Sequence, residues 1–255
     1  MKALVLAGGR GKRMEELSDS ENKCMLHIHG KPLIQYSLDN ASAIRPVTEI
    51  VVVVGYRAES IINRFGTAYN GKRISYVIQR EQRGLVHAME CARDYVTGQD
   101  FFLFLADEVI LGGRHSEMLR LFLDEDIFCV CGVYPQENLA MIRRTYSLIY
   151  GPDNRIYRLV EKPRKPFSPL QGTGNILFRD AIFSYLDVCP VNPHRGEKEL
   201  PDLIQCAIDD GEVVKYATVC DRYININSPE EWRMVEEQHW SPDPSARVTP
   251  VGQEG

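Results

Sequence analysis

Three unbroken apolar runs in the first 105 positions constrain the fold more than any other feature. Ala3 to Ala7, Ile50 to Val54 and Phe101 to Leu105 contain no polar side chain. A strand with one face in water alternates apolar and polar residues, so runs like these are strands covered on both faces, the condition of a parallel sheet. Segments with helical spacing lie between them. Leu33, Ile34, Ser37, Leu38 and Ala41 follow Pro32, a proline placed in a first turn where its missing N–H costs nothing. Arg57 to Phe65 reads as a returning helix and Ile74 to Ile78 as a further strand. From Gly84, the residues Leu85, Ala88, Met89, Ala92 and Val96 form an apolar stripe. Strands alternating with helices require right-handed crossovers, so the expected class is α/β: three layers around an open, mostly parallel sheet. Ligands of such sheets bind at the carboxyl ends of the strands. Gly8, Gln79 and Asp107 each fall at or just past a strand end and are expected to face one crevice.

The second half has a different rhythm, which makes the sheet mixed. Ile127 to Tyr134 is a strand, and Tyr146 to Tyr150 with Arg155 to Val160 reads as a hairpin around Gly151 to Asn154. Another strand starts at Gly172 and ends at Phe178. Helices are expected at Arg179 to Leu186 and Leu200 to Ile208, with a strand at Val213 to Val219. Ser228-Pro229-Glu230-Glu231 opens the last helix, with serine as N-cap, proline at N1 and a capping-box glutamate. From Ser241 the chain has three prolines and no periodicity, and 241–255 is expected to be a disordered tail.

With 255 residues, 44% of them hydrophobic, the chain can bury one sizeable core or two lobes sharing a sheet. A net charge of -5 argues against general affinity for nucleic acid, which depends on clustered positive charge. The seven cysteines are an odd number without zinc or redox spacing, the pattern of buried reduced thiols. The apolar opening is too short for a signal peptide, and no run approaches the ~18 apolar residues of a membrane span. A cytoplasmic protein with no membrane partner is the expectation.

The first apolar run leads directly into Gly8, Gly9 and Gly11, with Arg10, Lys12 and Arg13 in the same bend and Lys23 ten residues on. Backbone N–H groups in a glycine turn, backed by cations, suit a polyphosphate. A P-loop needs Gly-Lys-Ser/Thr, but Gly11-Lys12 runs into Arg13. The dinucleotide fingerprint needs glycine where Met14 stands and an acid where Gly55-Tyr56-Arg57 stands. The bend therefore reads as a triphosphate cradle of another kind.

Leu6-Ala7-Gly8-Gly9-x-Gly11-x-Arg13, then Asn22-Lys23-x-Met25-Leu26 and Gly30-Lys31-Pro32-Leu33, resemble the signature of the sugar-1-phosphate nucleotidyltransferases, most closely the glucose-1-phosphate thymidylyltransferase type. The resemblance extends from residue 1 to about 235. It implies a nucleotide-diphospho-sugar transferase-like, Rossmann-type fold in one domain of about 1–240, with a nucleotide-binding half at about 1–112 and a sugar-binding half at about 113–240. It also implies that Leu6, Ala7, Gly8, Gly9, Gly11, Arg13, Gln79 and Gly84 bind nucleotide. A glutamine amide offers a donor and an acceptor, complementing N3–H and O4 of thymine or uracil, and Gln82 competes with Gln79 for that role. Asp107 matches the family's first metal aspartate, and a carboxylate at a strand tip suits Mg2+. Glu108 is the alternative ligand, and a plain turn acid is the alternative reading of Asp107. Glu161 and Lys162 match the sugar-binding motif, Thr173 and Gly174 the strand that closes over the sugar, and Arg195 an Arg-Gly-Glu-x-Glu segment. Ser147 and Tyr223 are placed with the substrate as well.

Three departures accompany these matches. Tyr223-Ile224-Asn225 stands where the family has Trp-x-Asp, so Asn225 is an uncharged second metal ligand. Tyr146-Ser147 replaces Tyr-Gly and is expected to crowd a hexose. The chain ends before the additional helices that carry a regulatory site in long thymidylyltransferases, so such control is not expected. The expected chemistry is an in-line displacement in which the phosphate of a sugar 1-phosphate, or related phosphorylated polyol, attacks the α-phosphorus of dTTP or UTP and releases pyrophosphate. Arg13, Lys23 and Asp107 carry the catalysis by position and charge. A homo-oligomer is expected. The rival readings are a cytidylyltransferase for phosphocholine or a phosphonate, and a catalytically silent regulatory homologue.

Overall fold

The computed structural model describes residues 1–11 and 22–237. The chain begins with β1 (Lys2–Ala7) and returns after the glycine bend through a 3-10 turn at Lys23–Met25. Then come the short strands β2 (His27–Ile28) and β3 (Lys31–Pro32), α1 (Leu33–Ala43), β4 (Glu49–Val54), α2 (Ala58–Phe65), β5 (Ala68–Tyr69), β6 (Lys72–Ile78) and α3 (Leu85–Val96). β7 (Phe101–Leu105), β8 (Glu108–Leu111) and α4 (His115–Asp124) complete the first half. The second half contains β9 (Cys129–Pro135), α5 (Leu139–Ile142), β10 (Tyr146–Tyr150), β11 (Ile156–Glu161), β12 (Leu170–Phe178), β13 (Val191–Asn192) and β14 (Glu197–Lys198). α6 (Leu200–Asp209), β15 (Val214–Thr218), β16 (Arg222–Asn225) and α7 (Pro229–Glu237) follow.

One eight-stranded sheet crosses the molecule in the order β15-β9-β12-β7-β1-β4-β6-β5. β1 is central, parallel to β4 on one side and to β7 on the other. β12 runs antiparallel to both β7 and β9, and the short edge strand β5 runs antiparallel to β6, so the sheet is mixed in both halves. The unbroken apolar runs divide between two buried faces. Leu4, Leu6, Val51 and Leu103 pack against Met89 and Ala92 of α3 and Leu203 of α6. Val5, Val52, Phe102 and Phe104 pack against Leu38 of α1, Ile61 of α2 and Phe122 of α4. Each face therefore buries apolar surface at roughly 25 cal/mol per Å2, and the three-layer α/β expectation holds.

Some local expectations change. The segment expected as a helix from Arg179 to Leu186 is a 3-10 helix at Asp180–Tyr185. Pro32 caps α1 in extended conformation rather than occupying its first turn. The α4 helix and the antiparallel ribbon of β8 with β16 are additional elements. Ser228 Oγ accepts from Glu231 N (3.3 Å), as an N-cap should, while Glu231 Oε2 accepts from Asn227 N (2.7 Å) instead of closing the box on Ser228. The tail expectation for 241–255 lies outside the described residues.

Candidate active site

The carboxyl ends of β1, β4 and β6 meet beside the glycine bend. Asn22, fully buried, ties the returning loop to them: its Oδ1 accepts from Cys24 N (2.8 Å), and its Nδ2 donates to Tyr56 O (2.7 Å) and Ala7 O (3.4 Å). Gly11 has φ +64°, and a Cβ there would stand 2.8 Å from Cβ of Lys23. Glycine at this position lets the Lys23 stem lie against the bend. The stem directs the ammonium to Asp107 Oδ2 at 2.7 Å and Asn227 Oδ1 at 3.4 Å. Arg13 and Lys12 lie outside the described residues.

Asp107 falls in the tight link between β7 and β8, in the wall of a cavity of about 590 Å3. That cavity also draws Asn225 and Asn227 from the end of β16, Glu161 and Lys162 from the end of β11, Thr173 and Gly174 from β12, and Arg195 from the loop before β14. Asn225 pairs with Glu108 in the β8–β16 ribbon, which sets it beside Asp107, and its Oδ1 accepts from Asn227 Nδ2 (2.7 Å). Lys162 adopts a left-handed conformation (φ 44°) while its N–H donates to Thr145 O at 2.7 Å. Its ammonium lies 2.8 Å from Glu161 Oε1, and Arg195 is 3.8 Å from the same oxygen and 2.9 Å from Glu199 Oε1. Burial raises the pKa of Glu161 above the ordinary carboxylate value against the pull of Lys162.

Glu108 has a different role from that of an alternative metal ligand. It is buried and accepts from Gly174 N (2.9 and 3.0 Å), Asn175 Nδ2 (2.8 Å) and Tyr223 OH (2.7 Å). Burial pushes its pKa up to about 7, opposed by the Tyr223 hydrogen bond. With its lone pairs engaged in this way, it ties β8, β12 and β16 together in the cavity wall. Two expected substrate residues move with that finding. The Tyr223 hydroxyl serves Glu108 and the ring lies outside the wall. Ser147 is fully buried, accepts from Phe167 N at 2.9 Å and faces away from the cavity, so the expected crowding of a hexose does not arise there. Thr173 lies in the wall, but its hydroxyl is engaged with Gly132 O (2.9 Å).

The residues expected to bind nucleotide form a neighbouring group. Leu6, Ala7, Gly8, Gly9, Gly11, Gln79 and Gly84 are not in the cavity wall. Gly8 touches Gln79, because a Cβ on Gly8 would lie 2.5 Å from Gln79 Oε1. Gln79 is buried, while Gln82 is exposed and its Nε2 donates to Gln79 O (3.4 Å). Lys23 links the two groups through Asp107. Among the wall residues that sequence reasoning did not assign to the site are Thr145, Arg144 and Glu231. Thr145 has a buried Oγ1 without a hydrogen-bond partner, and Arg144 forms an ion pair with Glu231 across the wall. Thr145 and Arg144 come from a segment whose sequence carries no signal beyond ordinary polarity, Glu231 carries only a helix-cap signal, and only the β10–β11 hairpin and α7 bring them together.

Comparison with known proteins agrees with this geometry. The solved structure of UDP-glucose pyrophosphorylase complexed with UDP-glucose superposes with a TM-score of 0.81 at 21% identity, covering 92% of this chain and 96% of that one. That likeness shows the fold. The UTP–glucose-1-phosphate uridylyltransferase AglF of Haloferax volcanii is 31% identical over 232 residues, covering 91% of this chain and 93% of that protein. A glucose-1-phosphate thymidylyltransferase of Streptomyces antibioticus is 33% identical over 218 residues, covering 83% of this chain and 58% of that protein. This chain therefore spans less than two thirds of the thymidylyltransferase. The family described as nucleotidyl transferase matches residues 2–233, continuously from β1 into α7. The chain is therefore a member of the nucleotidyl transferase family.

Proposed function

We propose that this enzyme joins a sugar 1-phosphate, or a related phosphorylated polyol, to dTTP or UTP and releases pyrophosphate. The observation that carries the reading is the Lys23–Asp107 pair, which connects the glycine bend of the first half to a cavity walled by Lys162 and Arg195 of the second. A nucleotide tail and a second phosphate placed on either side of that pair face one another. The chain therefore divides into a nucleotide-binding half at about 1–112 and an acceptor-binding half at about 113–240 of one domain. The names of the uridylyl- and thymidylyltransferase relatives support this choice over cytidylyl transfer.

The chemistry needs no covalent enzyme intermediate, so the side chains act by position and charge. Lys162 and Arg195 hold the acceptor phosphate, and Glu161 takes sugar hydroxyls. Lys23 stabilises the α-phosphate, and Arg13 the departing pyrophosphate. Asp107, with the amide oxygens of Asn225 and Asn227, is an all-oxygen donor set that suits Mg2+. Among the described residues no group of three acidic, histidine or cysteine ligands occurs, so the remaining donors would have to come from the substrates. When bound, magnesium neutralises phosphate charge as the two anions approach.

The reading includes a cytoplasmic homo-oligomer. Ile149, Tyr150 and Tyr157 are exposed on the β10–β11 hairpin, which supports self-association, and sedimentation velocity tests it. Among the described residues no helix is long and apolar enough to cross a membrane. The central test is pyrophosphate release with magnesium across a matrix of dTTP, UTP and CTP against sugar 1-phosphates, phosphocholine and a phosphonate. Turnover with a pyrimidine triphosphate and a sugar 1-phosphate is expected. Silence in every combination, with nucleotide still bound, would instead identify a regulatory homologue.

A further inference from the structure

The inference rests on the reading that Gln79 faces the base of the nucleotide. Its Nε2 lies 3.1 Å from Gly84 O and 3.0 Å from His87 Nδ1. A backbone carbonyl can only accept, so the end of the amide facing Gly84 is the NH2 end; turning it over would set two oxygens against each other. Both hydrogens of Nε2 are then engaged, one with Gly84 and one with His87. For Nδ1 of His87 to accept, the ring carries its proton on Nε2, which lies 3.7 Å from Cys91 Sγ one helical turn along α3. Oε1 of Gln79 is the group left over. It has no hydrogen bond among the described residues, and it sits over Gly8, where a Cβ would come within 2.5 Å of it.

A freely turning glutamine reads a base as donor, as acceptor or as both, and discriminates poorly. One with both hydrogens engaged presents an oxygen alone. We propose that His87 is a positioning residue that, by taking the hydrogen Gly84 leaves free, holds Gln79 to its acceptor role, so that the site selects a base with an N–H opposite that oxygen. Uracil and thymine carry N3–H there, whereas cytosine presents a lone pair at the same position. The selection is a difference in hydrogen bonding, since the oxygen of Gln79 and N3 of cytosine repel without a hydrogen between them. His87 is half-buried in the first turn of α3 and stands outside the packed stripe of Val86, Met89 and Ala92, so the core does not depend on it.

Equilibrium binding of UMP and CMP to the full chain tests the proposal, alongside steady-state kinetics with UTP and CTP. The wild type is expected to favour UMP by roughly tenfold or more, the worth of about one hydrogen bond. His87→Leu, which leaves one hydrogen of Nε2 free to meet the base while Gly84 still holds the other, is expected to cut that preference several-fold and to raise KM for UTP several-fold, with kcat and the KM for sugar phosphate little changed. His87→Asn, whose Oδ1 can replace Nδ1 as acceptor, is expected to retain the preference. His87→Phe serves in place of His87→Leu if the latter does not fold. An unchanged UMP preference in the leucine or phenylalanine variant overturns the lock. So does a wild type that favours CMP, which would mean that the oxygen meets the cytosine amino group. A wild type that binds neither nucleotide refutes the proposed function itself, and is thereby distinct from both.

Discussion

Lys23 and Asp107 are 84 residues apart in the chain and 2.7 Å apart in the fold. Their side chains are unequally covered, at 10% and 28% exposure, so losing one partner is not equivalent to losing the other. Asp107→Ala leaves a lysine ammonium in a largely closed site, whereas Lys23→Met leaves a carboxylate that water reaches. The expected stability loss is roughly 3 kcal/mol for Asp107→Ala and under ~1 kcal/mol for Lys23→Met, as measured by urea unfolding. Both variants are expected to lose about a hundredfold or more in pyrophosphate release. Near-normal turnover in both would exclude the pair from the chemistry.

Asn225 brings an oxygen but no charge to the expected metal position. Asn225→Asp is expected to lower the magnesium concentration for half-maximal activity several-fold, because a second carboxylate attracts a hard cation more strongly. Its oxygen can keep the hydrogen bond from Asn227 Nδ2, so stability should be little altered. A magnesium titration of both proteins, begun after chelation has removed activity, gives the comparison; an unchanged midpoint would place the metal elsewhere.

Ser147 gives a prediction of opposite kind. Its hydroxyl accepts from Phe167 N and is turned from the cavity. Ser147→Ala should lower stability by about 1 kcal/mol through the lost hydrogen bond while KM for the sugar phosphate stays within twofold, roughly the scatter of such values. A large change in KM would show that this side chain does reach the substrate.

His115 lies between the rings of Phe102 and Phe104 and 2.8 Å from Asn175 Oδ1. Burial lowers its pKa from 6.5 to about 4, against the Asn175 hydrogen bond. A base depressed in the folded state favours folding above its ordinary value, and that contribution is lost as pH falls from 6.5 through 4. The amount is roughly 3 kcal/mol. Glu108, an acid raised to about 7, acts in the opposite direction, costing stability as pH rises from 4.5 towards 7. The measurement is therefore the difference in unfolding free energy between wild type and His115→Gln, which should shrink on acidification across that window. A difference independent of pH would show that His115 does not titrate as a buried base.

The unbroken runs Ala3 to Ala7, Ile50 to Val54 and Phe101 to Leu105 determined, from sequence alone, a sheet covered on both faces. Period and composition are local properties, and burial of both faces leaves few alternatives. The same is true of the glycine bend, because an open backbone followed by cations has few uses. Which oxygen Glu108 offers and to whom, where Ser147 and Tyr223 turn, and that Thr145 and Arg144 enter the wall were decided only by tertiary structure. The roles of Glu108 and Tyr223 depend on partners more than 60 residues distant, such as β16 on β8, that of Ser147 on Phe167 beyond the hairpin, and a side chain's direction follows from the register of a partner that the local sequence does not contain.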